Sequence, residues 1–551
     1  MKKTILLSLF VVVGAFILSA TQTNAQSLKE ANKLLENESY TNALIMYNDL
    51  VKSEPANMQY GYFLAHGYLH IDKKDSARLV LEKYSATHAS DPYYLLGVAA
   101  TGFKDANNSN GFDLITQALS KVSSEKKGAT VYDTQFLIDM ADAIYTGNGD
   151  KAVCELAVDA ILKTLSKDPK NYDLLIAAGK IYYTVPDGTN ALKYYKAALD
   201  IQSDRPAAHV GYGQVYRLIK QYGSAEIKFQ DALKLDPDYA PAYREIAEMN
   251  NEIGDYPKAI QFYKDYLSRS EKTLINLRRF AIIQYNGSDY KGTISTINEF
   301  LTVDPKNSDM LQLQAYAYNN MGDSLSTVSV FDRYFGVVDP AKTKAYDFEL
   351  YGNNQKKLGQ DSIATISYLK AVDLDSTKSI LLTDVAGYYF KKKDWDACAA
   401  AYKKKEKIEK GLSQVEYYAL GRAYYFGKKY EEGIVAFDSL LSQKADFAMG
   451  YYWKGNCLAQ IETVDSTKLG IAKPTYEKFI ELASPTPDKF KSQLIVSYDY
   501  LGYYFMVNSD KPEFKDTWAE NARKSYEAIL VLDPNNQAAK DNLKAIPAPK
   551  K

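Results

Sequence analysis

Residues 206–238 read PAAHVGYGQVYRLIKQYGSAEIKFQDALKLDPD and contain the pattern that decides the fold. Gly213 and Ala225 are small residues twelve positions apart, and the bulky Phe229 follows four positions later. In the next stretch the turn formers Gly254-Asp255 separate the two small residues, which predicts a helix, a tight turn and a second helix. Small side chains allow the two helices to cross closely.

The same pattern recurs every 34 residues through the middle of the chain. The small residue of the second helix and the bulky residue after it return at Ala191, Ala225, Ala259, Thr293 and Thr327, and at Tyr195, Phe229, Tyr263, Ile297 and Phe331. A fixed period of this length indicates an array of helical hairpins, which bury their apolar faces by stacking. We therefore expect each hairpin to contact only the hairpins beside it.

These residues resemble the tetratricopeptide repeat (TPR) family, whose 34-residue unit carries small and aromatic residues at these positions. The pattern is strongest in residues 206–238 and 240–273, and it extends with slips in phase from Ala43 to Pro534. The resemblance implies an all-α fold, a right-handed α-solenoid (superhelix) of about fourteen hairpins. Residues 536–546 are expected to form a final capping helix.

The regularity of the pattern divides the chain into four segments. They are a secretory signal peptide at 1–25, divergent N-terminal repeats at 26–169, a regular array at 170–445, and C-terminal repeats with insertions, the capping helix and a short tail at 446–551. We expect the tail after residue 546 to be disordered.

The first 25 residues have the features of an export signal. Lys2 and Lys3 precede an apolar run from Ile5 to Ala20, and Ala25 supplies a small residue for cleavage. The run is shorter than the roughly 20 residues of a membrane span, so we expect cleavage; an uncleaved membrane anchor is the alternative. The signal predicts the periplasm of a Gram-negative bacterium, and a peripheral position at the outer membrane is left open.

Composition excludes some partners. The chain has 67 Lys and Arg against 68 Asp and Glu, and removal of the signal takes away two lysines and no acid. The mature chain is thus slightly acidic, which gives no electrostatic footprint for nucleic acid or an anionic membrane.

Cys154, Cys398 and Cys457 are widely spaced, and Cys398 occupies a small-residue position of the repeat. We expect three free thiols.

The search for catalytic and metal sites gives no candidate with a complete motif. His66 and His70 have the i, i+4 spacing of a metal pair, but the sequence supplies no third ligand. The turn at Asp105 lacks the Gly and Glu of a calcium loop. Without a phosphate-binding loop or a nucleophile motif, we expect no catalytic residues, no cofactor, no metal and no enzymatic activity.

The resemblance also implies a binding face, because first helices line the concave groove in this family. Carried onto this chain, the partner-binding residues are Arg244, Glu248, Arg278, Tyr285, Gln312, Tyr316, Asn319, Asn353, Lys356, Tyr418, Arg422, Tyr425, Tyr452 and Asn456. Tyr and Arg are frequent anchors of protein interfaces. The alternative is that these residues are ordinary solvated residues of the helix surfaces. The family's clamp for a terminal carboxylate needs Lys and Asn across three successive units, and that combination is not found.

Two functions remain open at this point. The first is a non-enzymatic periplasmic scaffold that binds one or more protein partners through the concave surface, within an envelope or secretion assembly. The second is a soluble binding module for extended peptides or glycans, which would stack on the Tyr-rich groove.

Overall fold

The computed structural model describes residues 24–105, 110–126 and 128–547. Most of the predicted signal peptide, most of the turn after Asp105 and the C-terminal tail from residue 548 lie outside the described residues.

Within the described residues, helices alternate as the first and second helices of hairpins. Their bounds are α1 (24–36), α2 (Tyr40–Ser53), α3 (Met58–His70), α4 (Lys74–Glu82), α5 (Pro92–Phe103), α6 (Gly111–Val122), α7 (Thr134–Gly147), α8 (Lys151–Leu165), α9 (Tyr172–Thr184), α10 (Gly188–Ile201), α11 (Pro206–Leu218), α12 (Tyr222–Leu235), α13 (Ala240–Ile253), α14 (Tyr256–Leu267), α15 (Leu274–Asn286), α16 (Tyr290–Val303), α17 (Ser308–Asn320), α18 (Ser324–Phe335), α19 (Ala345–Lys357), α20 (Asp361–Leu374), α21 (Leu381–Lys391), α22 (Trp395–Glu409), α23 (Gln414–Phe426), α24 (Tyr430–Gln443), α25 (Ala448–Val464), α26 (Lys473–Ala483), α27 (Lys491–Val507), α28 (Trp518–Leu532) and α29 (Gln537–Ala545). Short 3-10 helices occupy Pro340–Lys342, Ser376–Lys378, Ser466–Lys468 and Pro487–Phe490.

This order confirms the predicted fold class, an all-α solenoid of about fourteen hairpins. The predicted capping helix is α29, which packs on α28 through the buried Ala539. Asn536 caps its N-terminus, because the Asn536 side chain accepts a hydrogen bond from the Ala539 amide.

One element was not predicted, a two-stranded antiparallel hairpin of β1 (Ser123–Lys126) and β2 (Ala129–Tyr132). The residues Thr130, Val131 and Tyr132 favour a strand because their side chains are β-branched or aromatic. The Tyr132 amide donates to Thr164 Oγ1 at 3.1 Å, which ties β2 to α8.

The repeated pairing of a small residue with an aromatic ring sets the distance between the two helices of a hairpin. A Cβ atom on Gly213 would lie 2.5 Å from the Phe229 ring, and one on Gly421 would lie 2.6 Å from the Phe437 ring. Both rings are fully buried. Glycine is thus required where the ring of the second helix lies directly against the backbone of the first.

The chain divides into two compact units between Met321 and Gly322, here called the N-terminal unit and the C-terminal unit. This boundary lies inside the segment 170–445, whose repeats are regular in sequence. The division of the chain into four segments stays a prediction.

The expectation that each hairpin contacts only its neighbours is wrong for the N-terminal unit. Arg244 on α13 forms an ion pair with Glu38, which lies 206 positions earlier in the turn between α1 and α2. Successive hairpins are rotated relative to one another, so a solenoid curves. Over the hairpins from α1 to α14, this curvature brings the turn between α1 and α2 back into contact with α13.

The three cysteines are free, as predicted, and all three are buried, which was predicted only for Cys398. Across residues 24–105, 110–126 and 128–547, none of the helices combines the length and the hydropathy that crossing a bilayer requires.

Candidate functional site

The first candidate site is a cavity of about 660 Å³ in the N-terminal unit. Its walls come mainly from the first helices of successive hairpins, α1, α3, α7, α9, α11, α13 and α15. This is the face that the family resemblance assigned to the groove. In this unit the groove is therefore a partly open cavity, and charged, polar and apolar side chains all line it.

The turn between α1 and α2 closes one side of this cavity. Glu38 is buried there with a left-handed backbone (φ 58°) and accepts hydrogen bonds from Arg244 and from the Tyr266 hydroxyl. Thr41 donates its amide and its hydroxyl to the Glu271 carboxylate at 2.5 and 2.7 Å. The Tyr239 hydroxyl donates to Glu36 at 3.2 Å. We call the segment from Glu36 to Thr41 the closing turn, because its contacts join α1 and α2 to the hairpin of α13 and α14.

A network of buried ions lies behind the closing turn. The Glu245 carboxylate forms ion pairs with Arg217 at 2.7 Å and with Arg244 at 3.0 Å, and the Gln214 amide donates a hydrogen bond to it at 2.9 Å. Burial alone would raise the pKa of Glu245, but the two guanidinium groups hold it below its ordinary value. The charges of this wall are therefore neutralised within the protein.

Two imidazoles and a carboxylate meet elsewhere on the cavity wall. His66 Nε2 lies 3.1 Å from Asp142 Oδ2 and 3.2 Å from His70 Nε2. The other oxygen, Asp142 Oδ1, accepts a hydrogen bond from Lys180 Nζ at 2.6 Å. Burial, and then the neighbouring His66, lower the pKa of His70 to about 3, so this imidazole is neutral.

A second carboxylate beside this cluster behaves differently. Asp139 lies one turn before Asp142 on α7 and accepts hydrogen bonds from Tyr93 and Gln135 at 2.9 Å. Burial raises the pKa of Asp139 to about 7, although these two hydrogen bonds act in the opposite direction. Burial acts in the same direction on Asp142, but Lys180 and the two histidines hold the pKa of Asp142 well below its ordinary value. α7 thus brings two acids with opposite pKa shifts to the cavity.

The second candidate site is a group of aromatic rings around Arg422 in the C-terminal unit. The Arg422 guanidinium carbon lies 5.2 Å from the ring centre of Phe390, 5.4 Å from Trp453, 5.5 Å from Tyr418 and 5.8 Å from Phe426. These rings come from the first helices α21, α23 and α25. We call Phe390, Tyr418, Arg422, Phe426 and Trp453 the arginine–aromatic cluster.

Arg422 has no carboxylate partner among the described residues. Its Nε is buried without a hydrogen-bond partner there, whereas Trp453 Nε1 donates to the Tyr418 hydroxyl at 3.0 Å. Cation–π contacts of this kind are worth roughly 0.5–2 kcal/mol and hold the guanidinium between the rings. The cluster therefore presents a positive charge and apolar rings on one half-buried surface.

In the N-terminal unit, the predicted partner-binding residues lie in two environments. Arg244 and Glu248 line the cavity, and Arg244 is bonded to Glu38 and Glu245. Arg278 is half exposed and bonded to Asp309 at 2.7 Å, and the Tyr285 hydroxyl accepts a hydrogen bond from Asn320 at 3.0 Å. The three residues on α17, all half-buried, are Gln312, Tyr316 and Asn319.

In the C-terminal unit, four of the predicted residues come together around Trp453. These are Tyr418, Arg422, Tyr425 and Tyr452. Lys356 is half exposed and bonded to Asp384 at 2.7 Å, and the Asn353 side chain accepts a hydrogen bond from Tyr368 at 2.9 Å.

Two of the predicted partner-binding residues do not lie at an exposed position in the groove, where the family resemblance places them. Asn456 is buried and accepts a hydrogen bond from the Tyr476 hydroxyl at 2.7 Å, so it serves the packing of α25 on α26. Arg244 is covered by the closing turn. The partner-binding role of all fourteen residues stays a prediction.

Sequence reasoning missed Phe390, Phe426 and Trp453. The i, i+4, i+8 spacing of Tyr418, Arg422 and Phe426 places the three on one face of α23 and could have indicated the cluster. It also missed Asp142 as a neighbour of His66. No local signal could have found that pair, since its members lie 76 positions apart.

Comparison with known proteins gives a consistent picture. The family model described as "Tetratricopeptide repeat" matches residues 176–240 and 220–272. A TPR repeat-containing protein of Methanocaldococcus jannaschii is 24% identical over 343 residues, which are 59% of this chain and 54% of that protein. The chain thus spans about half the length of this curated relative.

Solved structures of similar sequence are repeat proteins as well. The C-terminal part of a TPR repeat-containing protein from Cytophaga hutchinsonii is 30% identical, with 48% of this chain and 98% of that chain covered and a TM-score of 0.33. A tetratricopeptide repeat protein from Parabacteroides merdae is 18% identical, with 46% and 96% covered and a TM-score of 0.31.

Proposed function

Because the chain belongs to the tetratricopeptide repeat family, we propose that it is a scaffold that holds a protein partner on the first-helix face of its C-terminal unit. Proteins of this family generally act as protein-interaction scaffolds, and the fold is typically non-enzymatic.

The arginine–aromatic cluster is the observation that carries this proposal. A guanidinium group presents several donors in a fixed fork, and it binds a carboxylate in a bidentate manner. Arg422 has no such partner among the described residues, and the rings of Trp453 and Phe426 lie beside it. Trp, Tyr and Arg are the residue types that dominate binding energy at interfaces. We infer that an acidic side chain of the partner binds Arg422 while an apolar neighbour packs on the rings.

The proposed location is the periplasm of a Gram-negative bacterium, and the proposed partner belongs to an envelope or secretion assembly. The sequence of residues 1–25 supports export. Sequencing of the N-terminus of the protein purified from cells tests this point, and a mature chain that begins at Gln26 is expected. A chain that retains Met1 contradicts cleavage.

Crosslinking in living cells tests the scaffold proposal. We expect an envelope protein to co-purify with the wild-type chain in near-stoichiometric amount, and Arg422→Ala together with Trp453→Ala to abolish this capture. Each truncated anchor costs on the order of 2 kcal/mol at an interface hot spot. Helical content should stay unchanged, because stacking of the hairpins maintains the fold.

Lys524→Ala on the second helix α28 is the matched control, since its side chain is 68% exposed. Equal loss of capture in the control contradicts the choice of surface. If no protein co-purifies with the wild-type chain, the scaffold proposal fails and a soluble module for peptides or glycans is favoured.

A further inference from the structure

Two histidines and one aspartate in the N-terminal unit bring three ligand atoms together on the cavity wall. His66 and His70 lie one turn apart on α3, and Asp142 faces them from α7. His66 Nε2 is 3.1 Å from Asp142 Oδ2 and 3.2 Å from His70 Nε2, and His70 Nε2 is 4.0 Å from Asp142 Oδ2. The fold therefore brings Asp142 to the two histidines as a third ligand, which no spacing in the sequence had indicated.

These separations are those of a metal site. A zinc ion binds imidazole nitrogen at about 2.0–2.1 Å in tetrahedral geometry, which places its ligand atoms about 3.3 Å apart. Two of the three separations agree with this value, and a small rotation of the Asp142 carboxylate or the His70 ring shortens the third. Imidazole with one carboxylate is also a donor set that divalent transition metals prefer, whereas calcium and magnesium take oxygen ligands.

The surroundings hold the three groups in place. Lys180 Nζ donates to Asp142 Oδ1 at 2.6 Å and leaves Oδ2 directed at the imidazoles. The His66 ring stacks on Tyr62 at 5.5 Å, and the Tyr62 hydroxyl donates to the Asp139 backbone carbonyl at 3.1 Å. Ligands whose rotamers are fixed by neighbouring groups form stronger metal sites.

The three ligand side chains can be reached from the cavity. The side chains of His70 and Asp142 are 21% and 30% exposed, and all three ligands line the cavity. A tetrahedral ion with three protein ligands keeps its fourth position for water or for a donor group in the cavity.

We propose that His66, His70 and Asp142 bind one Zn²⁺ ion, with the fourth coordination position open to the cavity. Nothing in the scaffold role requires this site, and neither proposal depends on the other.

Zinc titration of the mature chain, residues 26–551, tests the proposal. The protein is stripped with a chelator and titrated calorimetrically with zinc chloride alone. We expect one zinc per chain for the wild type and no comparable binding of calcium or magnesium. His70→Gln and Asp142→Asn remove a ligand, so each should weaken binding by more than the roughly 10–100-fold that follows the loss of a supporting group.

His88→Gln is the control, because His88 lies outside the cluster and hydrogen-bonds to Thr87. It should bind zinc like the wild type. His70 is chosen over the deeply buried His66 so that the variant folds, and circular dichroism checks this. Cobalt gives a second readout, an intense visible spectrum typical of tetrahedral coordination, which His70→Gln should lose.

Three results would overturn the proposal. They are a wild-type chain without saturable zinc binding, undiminished zinc affinity in both ligand variants, and an equal loss of affinity in His88→Gln.

Discussion

The two units use the same hairpin but differ in the distance over which the chain contacts itself. In the N-terminal unit, side-chain hydrogen bonds join residues up to 230 positions apart, as between Thr41 and Glu271. Among the described residues of the C-terminal unit they reach 38 positions, between Tyr500 and Glu462. The first unit is closed by contacts between distant hairpins, and the second is held by contacts between neighbours.

The difference determines what the first helices can do. In the N-terminal unit Arg217 and Arg244 are bonded to buried carboxylates around a cavity. In the C-terminal unit Arg422 lies between aromatic rings without an acid beside it in the described chain. An arginine that is already paired contributes to stability, and one without an acid partner remains available to bind a carboxylate.

The largest effect is expected from breaking the closing turn. Arg244→Ala leaves the buried Glu38 without its cation, and the loss of one partner of a buried ion pair costs about 3–5 kcal/mol. Hydrogen exchange should accelerate in α1, α2, α13 and α14, because these helices are joined by the turn. Denaturant unfolding measures the loss of stability. Unchanged exchange in α1 would show that the closing contacts do not hold it.

A smaller effect is expected from a neighbour contact of the C-terminal unit. Glu416 is bonded to Lys405, to Ser413 and to the Thr383 hydroxyl. Burial opposes its ionisation, but these partners lower the pKa of Glu416 from its ordinary value of 4.5 to about 2. The folded state therefore binds this proton less tightly than the unfolded state. The resulting stability is present above pH 4.5 and is lost as the pH falls towards 2.

Glu416→Gln tests this sign. At neutral pH the variant should be less stable than the wild type by on the order of 2 kcal/mol, and the difference should narrow as the pH falls below 4.5. Denaturant unfolding of both proteins from pH 7 to pH 3 measures the difference. A gap that widens on acidification contradicts the assigned pKa shift.

Local structure was predictable from the sequence because the signals are local. The spacing of Gly213 and Phe229 predicts the helix crossing, and the position of Cys398 predicts a buried thiol, as found. The capping helix follows from a short amphipathic stretch after Pro534. Each of these depends on residues within one or two hairpins.

The closing turn and the cavity were not predictable in this way. Glu38 and Arg244 meet only because small rotations add up over many hairpins, and no spacing within one repeat determines that sum. His66 and Asp142 are brought together by the packing of α3 on α7. Trp453 was missed for a simpler reason: the family pattern assigns Tyr452 to the groove, and Trp453 is the next residue along the chain.

The smallest effect on stability is expected at two exposed ion pairs that join successive first helices. Arg278 is bonded to Asp309 in the N-terminal unit and Lys356 to Asp384 in the C-terminal unit, both at 2.7 Å, and all four side chains are at least 47% exposed. Exposed pairs are worth roughly 0–1 kcal/mol. Arg278→Ala and Lys356→Ala should therefore each change stability by less than about 1 kcal/mol. Denaturant unfolding in low and high salt measures this change in stability. The effect should be still smaller in high salt, because ions screen exposed charges.

Both residues belong to the predicted partner-binding face. A loss of partner capture without a loss of stability would therefore assign them to binding. A destabilisation by Arg278→Ala as large as that of Arg244→Ala would contradict the description of the Arg278–Asp309 pair as a weak surface contact.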